Sequence, residues 1–169
     1  LESTIDDMKG LVEEVRRISS NLSPSMLEDF GIHVAMEWLC KEFKAQNGEF
    51  NISCSVDIDE AETPEMIKVA IYRVAQEALQ NISKHSKATR VRAVLESTEG
   101  GAKLVISDNG VGFDAESTER GYDGKSGLGL RSMRERVEAT GGRFELKATA
   151  QKGVEVKAIW PSQDAAASR

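Results

Sequence analysis

Three polar side chains of different chemistry, Glu77, Asn81 and Lys84, recur at helical spacing in an otherwise apolar segment. Steps of four and three residues place them on one side of a helix. A solvated helix face explains such a set, and a metal–phosphate site is the alternative. In such a site the Asn81 carbonyl oxygen would bind Mg²⁺, which prefers oxygen ligands. Lys84 would balance phosphate charge, and Glu77 would orient a metal-bound water or polarise a nucleophile.

A second motif, Asp108-Asn109-Gly110-Val111-Gly112-Phe113, directly follows a predicted strand. Its two glycines allow the backbone to approach a ligand closely. A carboxylate at a strand end can accept a hydrogen bond from the amino group of an adenine ring. An ordinary tight turn with an Asx-type hydrogen bond is the alternative, so this motif does not decide the function alone.

A third motif, Gly127-Leu128-Gly129-Leu130, precedes a predicted helix. Glycines at a helix start present free backbone N–H groups at its positive end, which suits a phosphate group. The motif is not a phosphate-binding P-loop, because no Gly-Lys-Ser/Thr follows. It is not a dinucleotide fingerprint either, because the third glycine and the parallel-strand context are missing.

The elements that position these motifs follow from hydrophobic periodicity and from stop and turn residues. The predicted elements are a helix over Gly31–Gln46, a half-buried strand over Phe50–Ile58, a helix from Pro64 to about His85, strands at Arg90–Glu96 and Lys103–Asp108, a helix over Leu128–Thr140, and strands at Arg143–Thr149 and Val154–Trp160. This order predicts an α+β fold, a two-layer α/β sandwich with a mixed, mostly antiparallel sheet covered by helices on one face.

Local residue types predict how several elements begin and end. Thr63 is predicted to cap the long helix, with Pro64 in its first turn. A hairpin turn is predicted at 100–101 and a helix end at 141–142, both from glycine pairs. The polar stretch from 114 to 126 is predicted to be a mobile loop.

Two apolar stripes are predicted to form the helical part of the core. They are Ile32, Ala35, Met36, Leu39, Cys40 and Phe43 on one helix, and Ile67, Ala70, Ile71, Val74, Ala75, Ala78, Leu79 and Ile82 on the next. Cys40 and Cys54 have no metal-ligand spacing, and we expect them to be reduced core thiols, with a disulfide as the alternative.

The first residues carry a heptad seam that precedes all of these elements. Its apolar positions are Leu1, Ile5, Met8, Val12, Val15 and Leu22. A lone helix would expose this seam to water, so the pattern predicts a partner helix; packing on its own domain is the alternative. Pro24 is predicted to end the helix. Because the chain starts at Leu1 rather than Met, we expect it to be a piece of a longer protein.

Composition restricts the class of protein. The 169 residues are 40% hydrophobic and 30% charged, which predicts one globular domain with an appendage. The net charge is −6 and no basic run occurs, so a nucleic-acid surface is not expected. No apolar run approaches the roughly 18–20 residues that cross a bilayer, and no signal-peptide pattern occurs. We therefore expect a cytoplasmic location without membrane contact for this piece, whether or not its parent protein is membrane-anchored.

The order of the motifs is more specific than any one of them. A helix carrying Asn81, then Asp-x-Gly-x-Gly, a polar loop, and Gly-x-Gly-Leu opening a helix resembles the GHKL ATPase superfamily. That superfamily comprises gyrase-type, chaperone-type, histidine-kinase and mismatch-repair ATPases. The resemblance covers roughly residues 63–160. It implies a Bergerat-type ATP-binding fold with ATP and Mg²⁺ as its ligands.

The resemblance also implies roles for individual residues. Glu77 and Asn81 resemble the N box, with Asn81 as the Mg²⁺ ligand and with Glu77 and Lys84 as candidate catalytic residues. Lys84 and His85 match positions that usually touch phosphates, and Asp108 resembles the adenine-binding carboxylate. The remaining nucleotide-binding candidates are the glycine-box residues Gly110, Gly112, Gly127, Leu128, Gly129 and Leu130.

Two further segments narrow the resemblance to nitrate-sensor-type histidine kinases. Residues 17–32 resemble the link between the second dimerisation helix and the ATPase domain, and residues 129–137 fit the same subfamily. The implied domains are the second helix of a dimerisation and phosphoacceptor domain at 1–24, an ATP-binding catalytic domain at 25–162, and a flexible tail at 163–169. A homodimer of the full-length protein through the helix at 1–22 is also implied.

As the resemblance implies, the full protein would move the γ-phosphoryl group of Mg·ATP to a histidine and then to an aspartate of a response regulator. The only histidines are His33 and His85, and neither is followed by the acidic residue that marks the acceptor in this subfamily. We therefore expect the acceptor upstream of Leu1. Gly153-Val154 also replaces the family's usual Gly-Thr, which removes one hydroxyl contact worth about 1 kcal/mol.

Two other functions stay open. A GHKL-type serine kinase resembling the anti-sigma factors shares the nucleotide motifs, although the heptad helix and the turn at Pro24 disfavour it. A degenerate module that binds partners without ATP belongs to a different class. The retained motif residues Asn81, Asp108, Gly112, Gly127 and Gly129 disfavour that second alternative.

Overall fold

The computed structural model describes residues 26–48, 50–98, 101–113 and 128–161. Helix α1 occupies residues 26–46. The other elements are β1 (Asn51–Asp57), α2 (Glu65–Asn81), a π-helical segment (Ile82–Ser86), β2 (Arg90–Thr98), β3 (Gly101–Asp108), α3 (Leu128–Ala139), β4 (Arg143–Thr149) and β5 (Gly153–Pro161). The predicted heptad helix with its stop at Pro24, the loop at 114–126 and the tail lie outside the described residues, as does half of the predicted turn at 100–101.

The strands form one five-stranded sheet in the order β1-β2-β3-β5-β4. β1 pairs with β2 in parallel, whereas the other three pairings are antiparallel. A parallel pair needs a long crossover connection, and α2 provides it. The predicted α+β fold with a mixed, mostly antiparallel sheet is confirmed.

One face of the sheet carries the core because apolar residues alternate along the strands and the register aligns them. Ala93 of β2 pairs with Ile106 of β3, which pairs in turn with Val156 of β5. All three are buried. α2 contacts β3 and β5, and α3 contacts β4 and β5. Every residue of the two predicted helical stripes is buried in this layer, together with Leu27 and Tyr72, which the prediction omitted.

Helix α1 is interrupted at Gly31, where the prediction placed its start. Gly31 has a φ of +79°, so the helical residues from 26 onwards form a short turn before the break. The backbone N–H groups of Ile32 and His33 donate to the Glu60 carboxylate at 3.1 and 2.9 Å. The main body of α1 is thus capped by a side chain from the β1–α2 connection, which no local pattern could reveal.

Two details of the predicted nucleotide helix are wrong. Thr63 does not cap α2; its hydroxyl donates to the Asp59 carbonyl at 2.7 Å, and the N-cap is Pro64, whose carbonyl accepts from Ile67 and Lys68. The α-helix ends at Asn81 instead of about His85, and residues 82–86 continue as a π-helix. The wider π turn changes the direction in which the following side chains point.

The predicted end of α3 is confirmed. Gly141 has a φ of +78°, and Gly142 donates to the Val137 carbonyl at 2.9 Å. These contacts satisfy carbonyl groups of the last turn, as glycine at a helix end commonly allows. No helix in the described part of the chain is long and apolar enough to span a membrane.

Both cysteines are free thiols, as expected, but only one of them belongs to the core. Cys40 is buried on α1, whereas Cys54 is exposed on β1. The prediction of two core thiols is therefore wrong for Cys54. The strand pattern placed Cys54 on the inner face, but β1 is an edge strand, and its inner face is only partly covered.

Candidate nucleotide site

The centre of the candidate site lies where the end of α2 meets the start of α3. Glu77 and Asn81 project from α2 and are both half-buried. A Cβ atom on Gly129 would overlap Glu77 Oε1 and would lie 3.3 Å from Asn81 Nδ2. The absence of a side chain at Gly129 therefore lets α3 begin directly over the two polar side chains, which brings the first and third sequence motifs together.

The remaining residues of these two motifs are arranged differently. Lys84 and His85 are exposed on the π-helical segment, so Lys84 does not continue an ideal α-helical line through Glu77 and Asn81. Leu128 is exposed at the first turn of α3, and Leu130 packs against the core. Gly127 lies outside the described residues.

The Asp108 motif forms a tight loop at the end of β3. The Gly110 N–H donates to Asp108 Oδ1 at 2.7 Å, and the Val111 N–H donates to the Ser86 carbonyl at 2.7 Å. A Cβ atom on Gly110 would overlap that carbonyl oxygen. The Asx-type hydrogen bond considered above is present, and the carboxylate keeps further lone pairs for a ligand. The loop is joined to the end of the π-helical segment, five residues beyond Asn81.

Asp108 is a half-buried carboxylate in a mostly apolar sheet. Burial raises the pKa of Asp108 above the ordinary aspartate value, and hydrogen bonds from the backbone N–H groups of Gly110 and Val154 oppose that rise. Val154 stands where the resemblance described above implies threonine. Its contact with Asp108 uses the backbone, so this contact is independent of the side-chain replacement.

Gly112 holds the loop against the turn between β4 and β5. Its φ is +55°, and a Cβ atom there would overlap the Thr149 carbonyl oxygen and approach that of Gly153 to 2.8 Å. The Gln151 N–H donates to the Val111 carbonyl at 2.7 Å. The loop therefore lies between two pieces of backbone, the π-helical segment and this turn.

Two residues that position the loop were missed in the sequence. Asn109 Oδ1 accepts from the N–H groups of Thr89 and Arg90 at 3.0 and 2.8 Å, which fixes the start of β2 to the end of β3. Ser86 is buried, and its carbonyl receives Val111. The amide of Asn109 beside a glycine was a usable signal, because Asn commonly bonds to nearby backbone. Ser86 contacts Val111 through its backbone, so its residue type gave no signal.

A polar cavity of about 370 Å³ adjoins Glu77 between α2 and α3. Its lining residues are Arg73, Gln76, Glu77, Ser132, Met133 and Arg136. In the described ranges no group of three His, Cys, Asp or Glu side chains could hold a metal ion. Asn81 and Glu77 offer two oxygen donors, which suits a Mg²⁺ ion that arrives with phosphate oxygens and water and does not require an all-protein cage.

The sequence is similar to a known ATPase family and to known sensor kinases. Residues 66–164 match the family described as histidine kinase-, DNA gyrase B- and HSP90-like ATPase. The chain is 39% identical to the sensor histidine kinase MctS of Rhizobium johnstonii, over 81% of this chain and 29% of that protein. It is 32% identical to the oxygen sensor histidine kinase NreB of Staphylococcus carnosus, over 93% of this chain and 44% of that protein.

The fold is also similar to solved kinase structures. The histidine kinase domain of a blue-light activated kinase from Erythrobacter litoralis superimposes with a TM-score of 0.62 at 17% identity, covering 79% of this chain and 62% of that one. The chain belongs to the histidine kinase-, gyrase B- and HSP90-like ATPase family, and it is an ATPase domain of the histidine kinase type. It spans less than half the length of the two sensor kinases.

Proposed function

We propose that this chain binds Mg·ATP and, within a longer nitrate-sensor-type kinase, donates the γ-phosphoryl group to a histidine for relay to a response-regulator aspartate. The observation that carries the proposal is the contact of Glu77 and Asn81 with Gly129. It joins two motifs, distant in sequence, whose chemistry suits a metal ion and a phosphate group.

Each part of the site has a role in this proposal. The Asp108 carboxylate accepts a hydrogen bond from the adenine amino group, and the loop with Gly110 and Gly112 keeps the base close to the backbone. Asn81, with Glu77 beside it, holds the Mg²⁺ ion, which neutralises charge on the transferring phosphoryl group. Lys84 and His85 are exposed, and they turn toward the phosphates when the nucleotide binds.

Glu77 has a second proposed role. Glu77 borders the cavity that Arg73 and Arg136 also line, and its carboxylate is proposed to lie between that cavity and the metal. There it orients water or the incoming imidazole. The acceptor histidine is proposed to lie outside these 169 residues, on a dimerisation domain whose second helix is the seam at 1–22. The segments 1–24, 25–162 and 163–169 are accordingly proposed as dimerisation helix, catalytic domain and tail.

The decisive experiment is phosphoryl transfer from γ-³²P-ATP. The chain is mixed with Mg²⁺ and the separately produced dimerisation domain of its parent protein, and then with candidate response regulators. Acid-labile, base-stable label on the dimerisation domain supports histidine phosphorylation. Acid-stable label on serine would instead support the anti-sigma-factor-like kinase, and absence of Mg-dependent ATP binding by calorimetry would support the partner-binding module.

A further inference from the structure

The face of the sheet opposite the helices carries two neighbouring arginines. On β2, Val91 and Ala93 are buried in the core, so the alternating residues Arg90 and Arg92 project from the other face, where both are exposed. Two residues along a strand span roughly 6.6 Å. The two cationic side chains therefore stand side by side on one surface.

Several other charged side chains on this outer face are matched by an opposite charge on the neighbouring strand. Such ion pairs are Lys103–Glu96, Lys157–Glu145 and Lys147–Glu155. Arg90 and Arg92 differ, because among the described residues neither guanidinium group has a carboxylate in ion-pair contact. The chain has a net charge of −6, so two adjacent arginines without such partners form a local cationic site.

The two arginines line a cavity of about 330 Å³ on this face. The strand register sets its other walls: Ser53 of β1 and Ser107 of β3 lie on either side of Arg92, and Asn51 lies opposite Arg90. These neighbours are neutral and carry hydroxyl or amide groups that can donate hydrogen bonds. The cavity is therefore bordered by two cationic groups and by several neutral donors.

The end of the cavity is formed by the residues that follow β3. Asp108 is among the lining residues, but its side chain belongs to the opposite face, since Ser107 before it projects outward. Asp108 Oδ1 also accepts the Gly110 N–H. Asn109 Oδ1 accepts the Arg90 N–H at 2.8 Å. The backbone that carries Arg90 is thus fixed before any ligand binds, which lowers the cost of binding.

We propose that Arg90 and Arg92 bind the phosphate group of a small phosphate monoester in this cavity. Such a group carries nearly two negative charges at neutral pH and three acceptor oxygens. It matches two guanidinium groups and the surrounding donors better than a carboxylate does, which has one charge and two oxygens. The cavity lies at the lower end of the size range for small-ligand sites, so the organic part of the ester also fits. The proposed nucleotide site is not used.

The test is a titration of the ¹⁵N-labelled 169-residue chain with glycerol 3-phosphate, followed by amide chemical shifts. We expect saturable shifts at residues 51–53, 90–92 and 107–109, and none with glycerol alone. Inorganic phosphate should bind about threefold more weakly, because it leaves the rest of the cavity unfilled. Succinate should bind about tenfold more weakly, because each of its carboxylates has fewer charges and acceptors. Equal binding of either anion would overturn the monoester assignment, as would shifts confined to residues around Asn81.

Substitutions locate the binding groups. Arg90→Gln and Arg92→Gln, both at exposed positions, should keep the thermal midpoint and weaken glycerol 3-phosphate binding about tenfold each, because each removes a charged fork. Arg143→Gln is the matched control, since Arg143 is also exposed on this face but is paired with Glu145, and its binding should stay within about twofold. Asn81→Ala should bind the ester normally, which separates this cavity from the proposed nucleotide site. The proposal is overturned if Arg90→Gln and Arg92→Gln weaken binding no more than Arg143→Gln, or if Asn81→Ala abolishes it.

Discussion

At the scale of single residues, the site depends on which atoms are missing as much as on which are present. Gly129 lacks the Cβ that would displace Glu77, and Gly110 lacks the one that would meet the Ser86 carbonyl. Asn81 and Asp108 are the two side chains whose functional groups the proposal assigns to the metal and the base. Their substitution should remove binding and leave the surrounding packing in place.

Asn81→Ala is expected to abolish Mg-dependent ATP binding measured by calorimetry. The alanine keeps the helix but removes the oxygen donor proposed for Mg²⁺. The thermal midpoint should stay within about 3 °C of the wild type, because Asn81 is only half-buried. Gln80→Ala, an exposed neighbour on the same helix, is the matched control and should bind normally. Unchanged binding by Asn81→Ala would refute the metal assignment.

Asp108→Asn is expected to weaken ATP binding while the domain stays folded. The amide oxygen can still accept the Gly110 N–H, but the amide nitrogen adds donors where the adenine amino group also donates. ATP affinity should therefore fall about tenfold or more, as expected for one unpaired donor.

The pH dependence of the same variant tests the environment of Asp108. Burial raises the folded-state pKa of Asp108, so its ionised form destabilises the fold at neutral pH. That cost is relieved as the pH falls through the raised pKa towards about 3.9, the unfolded value. The melting temperature of the wild type, relative to Asp108→Asn, should rise as the pH falls from 7 to about 4. A relative decrease would show that the carboxylate is stabilised by its hydrogen bonds.

At the scale of elements, the sequence predicted what depends on periodicity. The alternation in β2, β3 and β5 and the stripes of α1 and α2 specify one buried face each. All five elements are present, although α1 starts and α2 ends earlier than predicted. The sequence did not predict features that depend on contacts between distant segments. Glu60 caps α1 from another connection, and the π-helical segment joins α2 to the Ser86–Val111 hydrogen bond. The Asp108, Asn81 and Gly129 motifs were found because their residue types are themselves informative.

Glu60→Ala should destabilise the domain by about 2 kcal/mol in denaturant unfolding. The change removes both acceptors of the Ile32 and His33 N–H groups at the start of the main body of α1. Glu62→Ala, at an exposed acidic residue in the same connection, is the control and should change stability by less than about 0.5 kcal/mol. Equal effects of the two changes would exclude a capping role.

Two glycines with positive φ allow the backbone cost and the packing cost to be measured separately. Gly141→Ala meets no atom within 4 Å, so it should cost only about 1 kcal/mol for its φ of +78°. Gly112→Ala has the same backbone penalty and also overlaps the Thr149 carbonyl. We expect Gly112→Ala to lower the free energy of unfolding by about 2 kcal/mol more than Gly141→Ala does, and to weaken ATP binding. Similar losses of stability in the two variants would mean that the β4–β5 turn shifts to accommodate the added methyl group at little cost in free energy.

At the scale of the whole molecule, the chain carries a proposed nucleotide site, and its acceptor histidine is proposed to lie outside the chain. His33 lies on α1 with its Nε2 3.5 Å from Glu37, and His85 belongs to the segment beside Asn81. Both are fixed within the domain that would hold ATP. We therefore expect no stable phosphohistidine on the isolated 169-residue chain after incubation with γ-³²P-ATP. Acid-labile label on this chain would contradict the external acceptor, and His33→Gln and His85→Gln would then locate it.

The strand order determines when the sheet can be completed during synthesis of the chain. β5 is the last of the described strands along the chain, and yet it lies inside the sheet, between β3 and β4. Until residues 153–161 are available, β4 has no partner and the earlier strands have no connection to it. A chain growing from its N-terminus therefore cannot complete this sheet until β5 has been synthesised. Trp160, which is fully buried and donates to the Thr140 hydroxyl, is one of the last residues of β5 to be added.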